Sequence, residues 1–298
     1  MPLPIKKINQ GEKDFPPLLG EIPGCPEQIF YMGKLPAAGE IMIAIVGTRK
    51  ATGEGFRLAK EIGRDLARAG IVVVSGLAFG VDSAAHEGAI LGNGKTVAVL
   101  PNGLDPIQPR SHYGLAQQIL NQNGCIISEF SESRPFYKAQ YLERNRLISG
   151  LCPAMVVVEA PIRSGSLSTA RHALEQGREV FVVPGPAGHP NYEGSHMLLR
   201  NGARLVTSAK DIWEDLQISI SRTSDVTNID VNVRTSDVQK LDEGTRIILQ
   251  TIQNAREPLH VDNIAETTKL EPNVVNQNLT FLMLEGLIEE RNGKFRLK

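Results

Sequence analysis

A chain of 298 residues is long enough for one sizeable domain and a second, smaller one. Hydrophobic residues make up 41% of it and the formal net charge is −1, which indicates an ordinary packed core and excludes a strong overall positive field. No apolar run has the length of a secretion signal or of a membrane-spanning helix. The cysteines, Cys25, Cys125 and Cys152, lack metal-binding or redox spacing, which predicts reduced thiols and a cytoplasmic location without membrane contact.

The order of elements predicts an α/β fold. Residues 1–40 are rich in Pro and Gly, which predicts an irregular lead-in packed on the core, and residues 41–217 alternate short β-branched runs with helical stretches. The predicted strands are 42–47, 71–75, 96–100, 125–128, 154–159, 179–183 and 204–207, and the predicted helices are 53–69, 81–92, 112–122, 141–149, 166–176, 192–201 and 209–216. Uninterrupted apolar strands between helices predict a Rossmann-like, mostly parallel sheet with helices on both faces.

The C-terminal part follows a different pattern. Residues 218–240 are dominated by Ser, Thr, Asp and Asn, which predicts a linker. Residues 241–298 then predict three helices and a terminal hairpin with an Asn-Gly turn, a small winged-helix-like domain. The third of these helices contains no Lys or Arg, which favours a protein contact or a structural role over direct DNA binding.

Three strand-to-helix turns are suited to bind phosphate. Glycine at such a turn lets the backbone approach a ligand, and the helix behind it adds partial positive charge. The candidate ligands are Ser75, Gly76, Ala78 and Gly80 in one turn, Gly47, Thr48 and Arg49 in another, and Ser164, Gly165 and Ser166 in a third. Because such turns share the carboxyl edge of a parallel sheet, together they predict a phosphate-binding groove. Taken singly, each is equally explained as a turn that needs glycine for packing.

A further candidate segment surrounds the predicted helix at 141–149. Residues 134–138 interleave cations with aromatic rings, a combination that holds single-stranded nucleic acid, with Lys138 as the cation and Phe136 or Tyr137 as the stacking ring. The alternative is a surface loop with aromatic anchors. The neighbouring candidates for phosphate binding are Arg144, Asn145 and Arg146. Alternatively, Asn145 and Arg146 tie the edge loops together through hydrogen bonds to Glu159 or to the backbone.

The sequence offers no convincing catalytic set. Asp82 and His86 are four residues apart on one predicted helix, so they can face each other and could serve as acid and base. Asp82 equally suits a cap or a support for the loop, and we assign Asp82, His86 and Glu159 structural, loop-orienting roles. Ser166 lacks the nucleophile-elbow pattern, and no metal-ligand spacing occurs. We therefore predict a binding protein without catalytic residues, metal or cofactor.

Several motifs occur together in one order along the chain. They lie at 47–49, 75–82, 100–105, 143–151, 157–160, 164–170, 183–185 and 194–203. As a set they resemble the DNA-processing A (DprA/Smf) family over most of residues 15–216.

The resemblance implies a protein that binds single-stranded DNA, protects incoming strands during natural transformation and helps the RecA recombinase displace single-strand-binding protein. It also implies a Rossmann-like core and a homodimer. By the same resemblance, Gly47, Thr48 and Arg49 hold phosphate, supported by the turns at 75–80 and 164–166, while Lys138 lies with an aromatic ring near the bases.

Two other functions fit parts of the sequence. Hydrolases that cleave the N-glycosidic bond of nucleoside monophosphates use a similar fold. Proteins of that kind carry a Pro-Gly-Gly-x-Gly-Thr loop, whereas this chain has Ser-Gly-Ser-Leu-Ser-Thr at 164–169. A nucleotide-sensing winged-helix regulator is the other alternative, and the absence of a basic recognition helix argues against it.

Overall fold

The computed structural model of the chain describes residues 4–131, 138–218, 243–255, 258–270, 272–284, 288–291 and 294–297. The chain forms two units, Met1–Thr223 and Ser224–Lys298. The predicted linker, 218–240, lies outside the described residues apart from Ile218, and the domain boundaries read from the sequence stay a prediction.

The first unit is built on a nine-stranded sheet. Its strands are β1 (Lys6–Asn9), β2 (Gln28–Gly33), β3 (Met42–Val46), β4 (Val72–Ser75), β5 (Thr96–Val99), β6 (Cys125–Ser128), β7 (Ala154–Val157), β8 (Glu179–Val182) and β9 (Arg204–Leu205). Their spatial order is β1-β2-β6-β5-β4-β3-β7-β8-β9, and every pairing among β3 to β9 is parallel. The chain order reverses at β3, which has β4 on one side and β7 on the other, so a ligand crevice is expected at the carboxyl end of β3.

The N-terminal segment is more regular than the sequence predicts. The composition of residues 1–40 predicts an irregular segment, but β1 and β2 extend the sheet with antiparallel pairings, and β2 covers the edge of β6. Ile29 and Met32 of β2 are buried, which gives this edge an apolar anchor. The prediction of a wholly irregular lead-in is therefore wrong, because the Pro and Gly residues of this segment lie outside the two strands, apart from Gly33 at the end of β2.

Helices cover both faces of the sheet. They are α1 (Pro17–Gly20), α2 (Gly53–Arg68), α3 (Val81–Leu91), α4 (Tyr113–Asn121), α5 (Lys138–Gly150), α6 (Gly165–Glu175), α7 (Glu193–Arg200) and α8 (Ala209–Asp215). Along β3, Ala44 and Val46 join the core cluster that contains Leu147 of α5, whereas Ile43 and Ile45 join the cluster of α2 and α3 on the opposite face. The predicted α/β, Rossmann-like architecture is confirmed. None of the described helices combines the length and apolarity needed to cross a membrane.

The second unit is small and has its own core. Its elements are α9 (Glu243–Asn254), β10 (Leu259–His260), α10 (Val261–Thr268), α11 (Pro272–Leu284), β11 (Ile288–Arg291) and β12 (Lys294–Leu297). The strands form an antiparallel sheet in the order β10-β12-β11, and Ile248, Leu279 and Phe295 are among the buried residues that hold it to the helices. The Asn-Gly turn predicted at 292–293 lies outside the described residues, and the winged-helix assignment stays a prediction.

Gly80 is the glycine whose conformation the fold requires most directly. It precedes α3 with φ 76° and ψ −122°, a backbone region that residues with a Cβ avoid. A Cβ atom at this position would lie 2.8 Å from the Arg49 carbonyl carbon and closer still to the Thr48 carbonyl oxygen. The turn before α3 therefore packs backbone to backbone against the turn after β3, which explains this glycine without a ligand.

We expect Gly80→Ala to lower the free energy of unfolding by about 2–5 kcal/mol, because it combines backbone strain with a clash against main-chain atoms. Chemical denaturation measures this loss. Gly53→Ala is the matched control, since nothing lies within 4 Å of the Cβ it would add at the start of α2. Equal stability of the two variants would contradict the assigned role of Gly80.

Candidate nucleic-acid interface

A cleft of about 1000 Å³ opens at the carboxyl end of β3. The turns after β3 and β7 and one face of α5 line it, and Ala78 adds part of the turn after β4. Of the phosphate ligands predicted from the sequence, the cleft is lined by Gly47, Thr48, Arg49, Ala78, Arg144, Asn145, Ser164, Gly165 and Ser166, but not by Ser75, Gly76, Gly80 or Arg146. The carboxyl edge thus brings residues from all three turns to one place.

Arg49 and Tyr141 form the most distinctive contact in the cleft. Arg49 is exposed, and its guanidinium carbon lies 4.2 Å from the centroid of the Tyr141 ring. A cation over an aromatic face is held by the ring's quadrupole, so each side chain restricts the other. The pair places a positive charge over a flat ring in the same cleft.

Tyr141 is a site residue that the sequence analysis missed. Tyr141, Arg144, Asn145 and Ile148 all line the cleft, at the i, i+3, i+4, i+7 spacing of one helix face. That spacing was the available signal, because all four residues also lie within the helix predicted at 141–149, but the sequence analysis looked for aromatic rings only at 134–138. The rings predicted to stack, Phe136 and Tyr137, lie outside the described residues, as does the side chain of Lys138.

The turn after β3 is fixed by its own backbone. The Thr48 N–H donates to the Glu159 carbonyl at 2.7 Å, and the Thr48 hydroxyl oxygen accepts from the Lys50 N–H at 3.2 Å. Thr48 is largely buried, so this turn leaves Arg49 as its exposed polar group within the cleft. Gly47 has no room for a side chain, because a Cβ would contact Val81 of α3.

The N-terminus of α6 borders the cleft from the opposite side. Ser164 caps this helix by accepting from the Ser166 N–H at 3.3 Å, and the two serine hydroxyls lie 2.6 Å apart. Asn145 of α5 donates to the Gly165 carbonyl at 3.2 Å and thereby joins α5 to this helix start. The positive end of the α6 dipole and the exposed Arg163 make this wall favourable for an anion.

Arg144 is engaged by the protein itself. It is 4% exposed, and its Nη1 donates to the Gly76 carbonyl at 2.9 Å and also to the Val99 carbonyl. Burial lowers the pKa of Arg144 to about 10, while the charge of Asp82 acts in the opposite direction. The guanidinium remains protonated at neutral pH and ties α5 to the ends of β4 and β5. Its predicted role as a phosphate ligand therefore competes with a structural one.

Arg146 lies away from the cleft. Its Nη2 forms an ion pair with Glu129, and its carbonyl accepts from Gln176 at 3.0 Å. Residues two positions apart in a helix point to different sides, so Arg146 cannot share the face of Arg144. Of the two structural alternatives, bonds to Glu159 or to the backbone, Asn145 takes the second through its bond to the Gly165 carbonyl, whereas Arg146 pairs with Glu129. The structure thus contradicts the prediction of Arg146 as a phosphate ligand in this cleft.

Asp82 and His86 do not pair, despite their spacing. Asp82 accepts from the Gly76 and Ala78 N–H groups at 3.1 and 3.4 Å, and burial raises the pKa of its carboxyl against the opposing charge of Arg144. The Nδ1 of His86 lies 2.7 Å from the Thr96 hydroxyl, which itself donates to the Val73 carbonyl. Burial lowers the pKa of His86 to about 3, so the ring is neutral and donates through Nδ1. These two side chains therefore lack the mutual contact that their spacing allows.

Glu159 joins its own segment after β7 to two others near the cleft, the start of α2 and the segment before α7. Its buried carboxylate accepts from the Thr52 N–H at 3.0 Å, from the Thr52 hydroxyl, from Asn191 Nδ2 at 2.9 Å and from the Tyr192 hydroxyl at 3.0 Å. Burial, with the carboxylate of Glu159 beside it, raises the pKa of Tyr192 to about 12. These contacts support the loop-orienting role assigned to Glu159.

We expect Glu159→Ala to lower the free energy of unfolding by about 3–5 kcal/mol, because buried donors lose their shared acceptor. Thermal or chemical denaturation measures this effect. Glu54→Ala is the control, since Glu54 pairs with Arg57 at an exposed position on α2 and its loss should leave the free energy of unfolding nearly unchanged. A small effect at Glu159 would show that the three segments are held together by other contacts.

Comparison with known proteins identifies the relatives of this chain. A family model described as DNA recombination-mediator protein A matches residues 6–217. Protein Smf of Escherichia coli is 45% identical over 206 residues, which are 69% of this chain and 55% of that protein. DNA processing protein DprA of Streptococcus pneumoniae is 38% identical over 199 residues, 67% of this chain and 70% of that protein. The chain therefore spans about half the length of the E. coli relative.

Solved structures agree with this assignment. The crystal structure of S. pneumoniae DprA has a TM-score of 0.66 at 35% identity and covers 71% of this chain and 74% of its own. DNA processing protein A of Helicobacter pylori, in a structure described as giving insight into its single-stranded DNA binding mode, has a TM-score of 0.63 at 28% identity, with 73% and 98% covered. The family expected from the motifs is thus confirmed: this chain belongs to the DNA recombination-mediator protein A family, that of the DprA and Smf proteins.

Proposed function

We propose that this chain binds single-stranded DNA in the cleft at the carboxyl end of β3 and acts as a recombination mediator. The observation that carries the proposal is the Arg49–Tyr141 contact, a cation and a ring 4.2 Å apart between two phosphate-competent turns. Single-strand binders combine positive charge for the backbone with aromatic faces for the bases. The cleft offers both, the charge on Arg49 and the ring of Tyr141.

Charge in the cleft is local. Arg49 and Arg163 are exposed on its lining, and the N-terminus of α6 adds the positive end of an 11-residue helix. The chain as a whole has a net charge of −1, so attraction for a polyanion depends on local groups such as these rather than on an overall positive field. Phosphates of one strand could be held here without a positive surface elsewhere.

The aromatic contact favours a single strand over a duplex. Bases in a duplex are stacked on each other and offer no free face, whereas a single strand can place a base against the Tyr141 ring. Stacking accepts every base, because each has a π-face, and the cleft therefore suits strands of any sequence. The description of the H. pylori relative as having a single-stranded DNA binding mode supports the binding of a single strand.

The wider role follows from family membership. We infer that the protein protects incoming strands during natural transformation or recombination, helps load RecA, works in the cytoplasm and forms a homodimer. The match to the recombination-mediator family over residues 6–217 supports these partners. The protein would act without catalytic chemistry, and Asp82, a carboxylate that lines the cleft, is buried and hydrogen-bonded.

We expect the protein to bind oligo-dT more tightly than a matched duplex, with an affinity that falls steeply as salt rises. Fluorescence anisotropy across a salt series measures both properties. Preference for a duplex of one sequence would favour the winged-helix regulator instead. Release of free base from nucleoside monophosphates, without strand binding, would favour the hydrolase.

We expect Arg49→Ala to weaken oligo-dT binding about tenfold or more, because it removes a phosphate ligand and the partner of the Tyr141 ring. The slope of log affinity against log salt should become shallower by about 0.7, since one fewer phosphate is neutralised. Arg68→Ala is the control, since Arg68 is an exposed arginine at the end of α2. Unchanged affinity in a folded Arg49→Ala variant would remove Arg49 from the site.

A further inference from the structure

Phe79 is an aromatic residue held outside the core. It lies in the turn between β4 and α3 and is 49% exposed, whereas Leu77 and Val81 on either side of it are fully buried. The buried neighbours anchor the turn to the core, so the Phe79 ring projects from a fixed backbone. An aromatic ring that faces solvent offers a surface on which a base can stack.

The Phe79 ring is braced from the side. It meets the His112 ring with centroids 4.6 Å apart and planes at 61°, an edge-to-face contact. His112 is in turn oriented by its Nδ1, which donates to the Leu77 carbonyl at 2.9 Å. The exposed ring is therefore oriented before any ligand arrives, and little side-chain freedom is lost when a second ring stacks on it.

The turn that carries Phe79 is joined to the cleft. Ala78 lines the cleft, and Gly80 packs against the backbone of Thr48 and Arg49. The Val81 N–H also donates to the Thr48 carbonyl at 3.2 Å. Because successive Cα atoms are about 3.8 Å apart, Phe79 is one residue step from a backbone contact with Arg49. Phe79 therefore lies in the chain between a residue that lines the cleft, Ala78, and one that packs against the Arg49 backbone, Gly80.

The surroundings of Phe79 have the composition of a nucleic-acid surface. Arg110 and Tyr113 flank His112 in the sequence and both are exposed, Tyr113 by 54%. A cation and a second aromatic residue thus adjoin the ring that braces Phe79. Cations interleaved with aromatic rings hold single strands by charge and stacking together.

We propose that the Phe79 ring, braced by His112, is a second base-stacking site for single-stranded DNA, adjacent to the Arg49–Tyr141 site along the bound strand. The inference rests on the proposed function, and it adds a subsite beyond the cleft. This subsite would extend the bound DNA segment toward residues 110–113, which precede and begin α4. The competing occupant is a partner protein, which the experiment separates from DNA.

The test compares wild type with Phe79→Ala, Phe79→Trp and Leu91→Ala by fluorescence anisotropy. Leu91 is the control, an exposed apolar side chain at the far end of α3. The ligands are dT20 and a 20-unit strand of abasic tetrahydrofuran residues, which keeps the phosphates and lacks the bases. Circular dichroism melting checks that each variant is folded.

We expect Phe79→Ala to bind dT20 about five- to a hundredfold more weakly than wild type, with an unchanged salt slope because no charge is removed. Phe79→Trp should bind like wild type, and its added fluorescence should be quenched by dT20. All variants should bind the abasic strand equally.

Three results would overturn the subsite. They are wild-type affinity of Phe79→Ala for dT20, an equal loss on the abasic strand, and a failure of Phe79→Trp to restore binding. Each of these leaves the proposed function intact, provided that wild type binds dT20. If wild type binds no single strand, the proposed function fails together with the subsite.

Discussion

The arrangement of the cleft depends on one buried carboxylate. Glu159 follows β7 and accepts hydrogen bonds from Thr52 at the start of α2 and from Asn191 and Tyr192 before α7, while its carbonyl accepts from Thr48. These donors come from segments that are far apart in sequence, so no local preference holds them together. A buried carboxylate is stable only when several donors surround it, and the same requirement fixes the segments relative to each other.

On the other side of β3, two buried charged residues, Arg144 and Asp82, likewise hold separate segments together. Arg144 and Asp82 lie beneath the turn after β4, where Arg144 donates to the Gly76 carbonyl and Asp82 accepts from the Gly76 and Ala78 N–H groups. Buried charged residues of the sequence motifs, Asp82, Arg144 and Glu159, therefore form what we call the floor of the cleft. The exposed cations Arg49 and Arg163 form its rim. This division explains why a motif rich in charges and glycines does not translate residue by residue into ligands.

The parallel strands β3 to β9 and their helices could be predicted, because apolar runs and glycine turns are local signals. The strands β1 and β2 could not, since they pair with an edge that only the folded sheet creates. The side-chain partners were the hardest to predict. Asp82 and His86 have the spacing of a pair, yet Asp82 is satisfied by N–H groups of the preceding turn and His86 by Thr96 of β5. Tyr141 lies inside the predicted helix as well as in α5, and it was missed because the search for a stacking ring stopped at the segment 134–138 before that helix.

The same division between floor and rim bears on how a strand would be recognised. The groups that could read a base edge by directional hydrogen bonds, such as the Asn145 amide, already bond to the protein. The other groups of the cleft are a guanidinium, an aromatic ring beside it and a helix N-terminus. Charge and stacking vary little from base to base, whereas hydrogen-bond readout differs between them. A rigid floor under such a rim therefore favours binding strands of unrelated sequence, which is what a mediator acting on arbitrary incoming DNA requires.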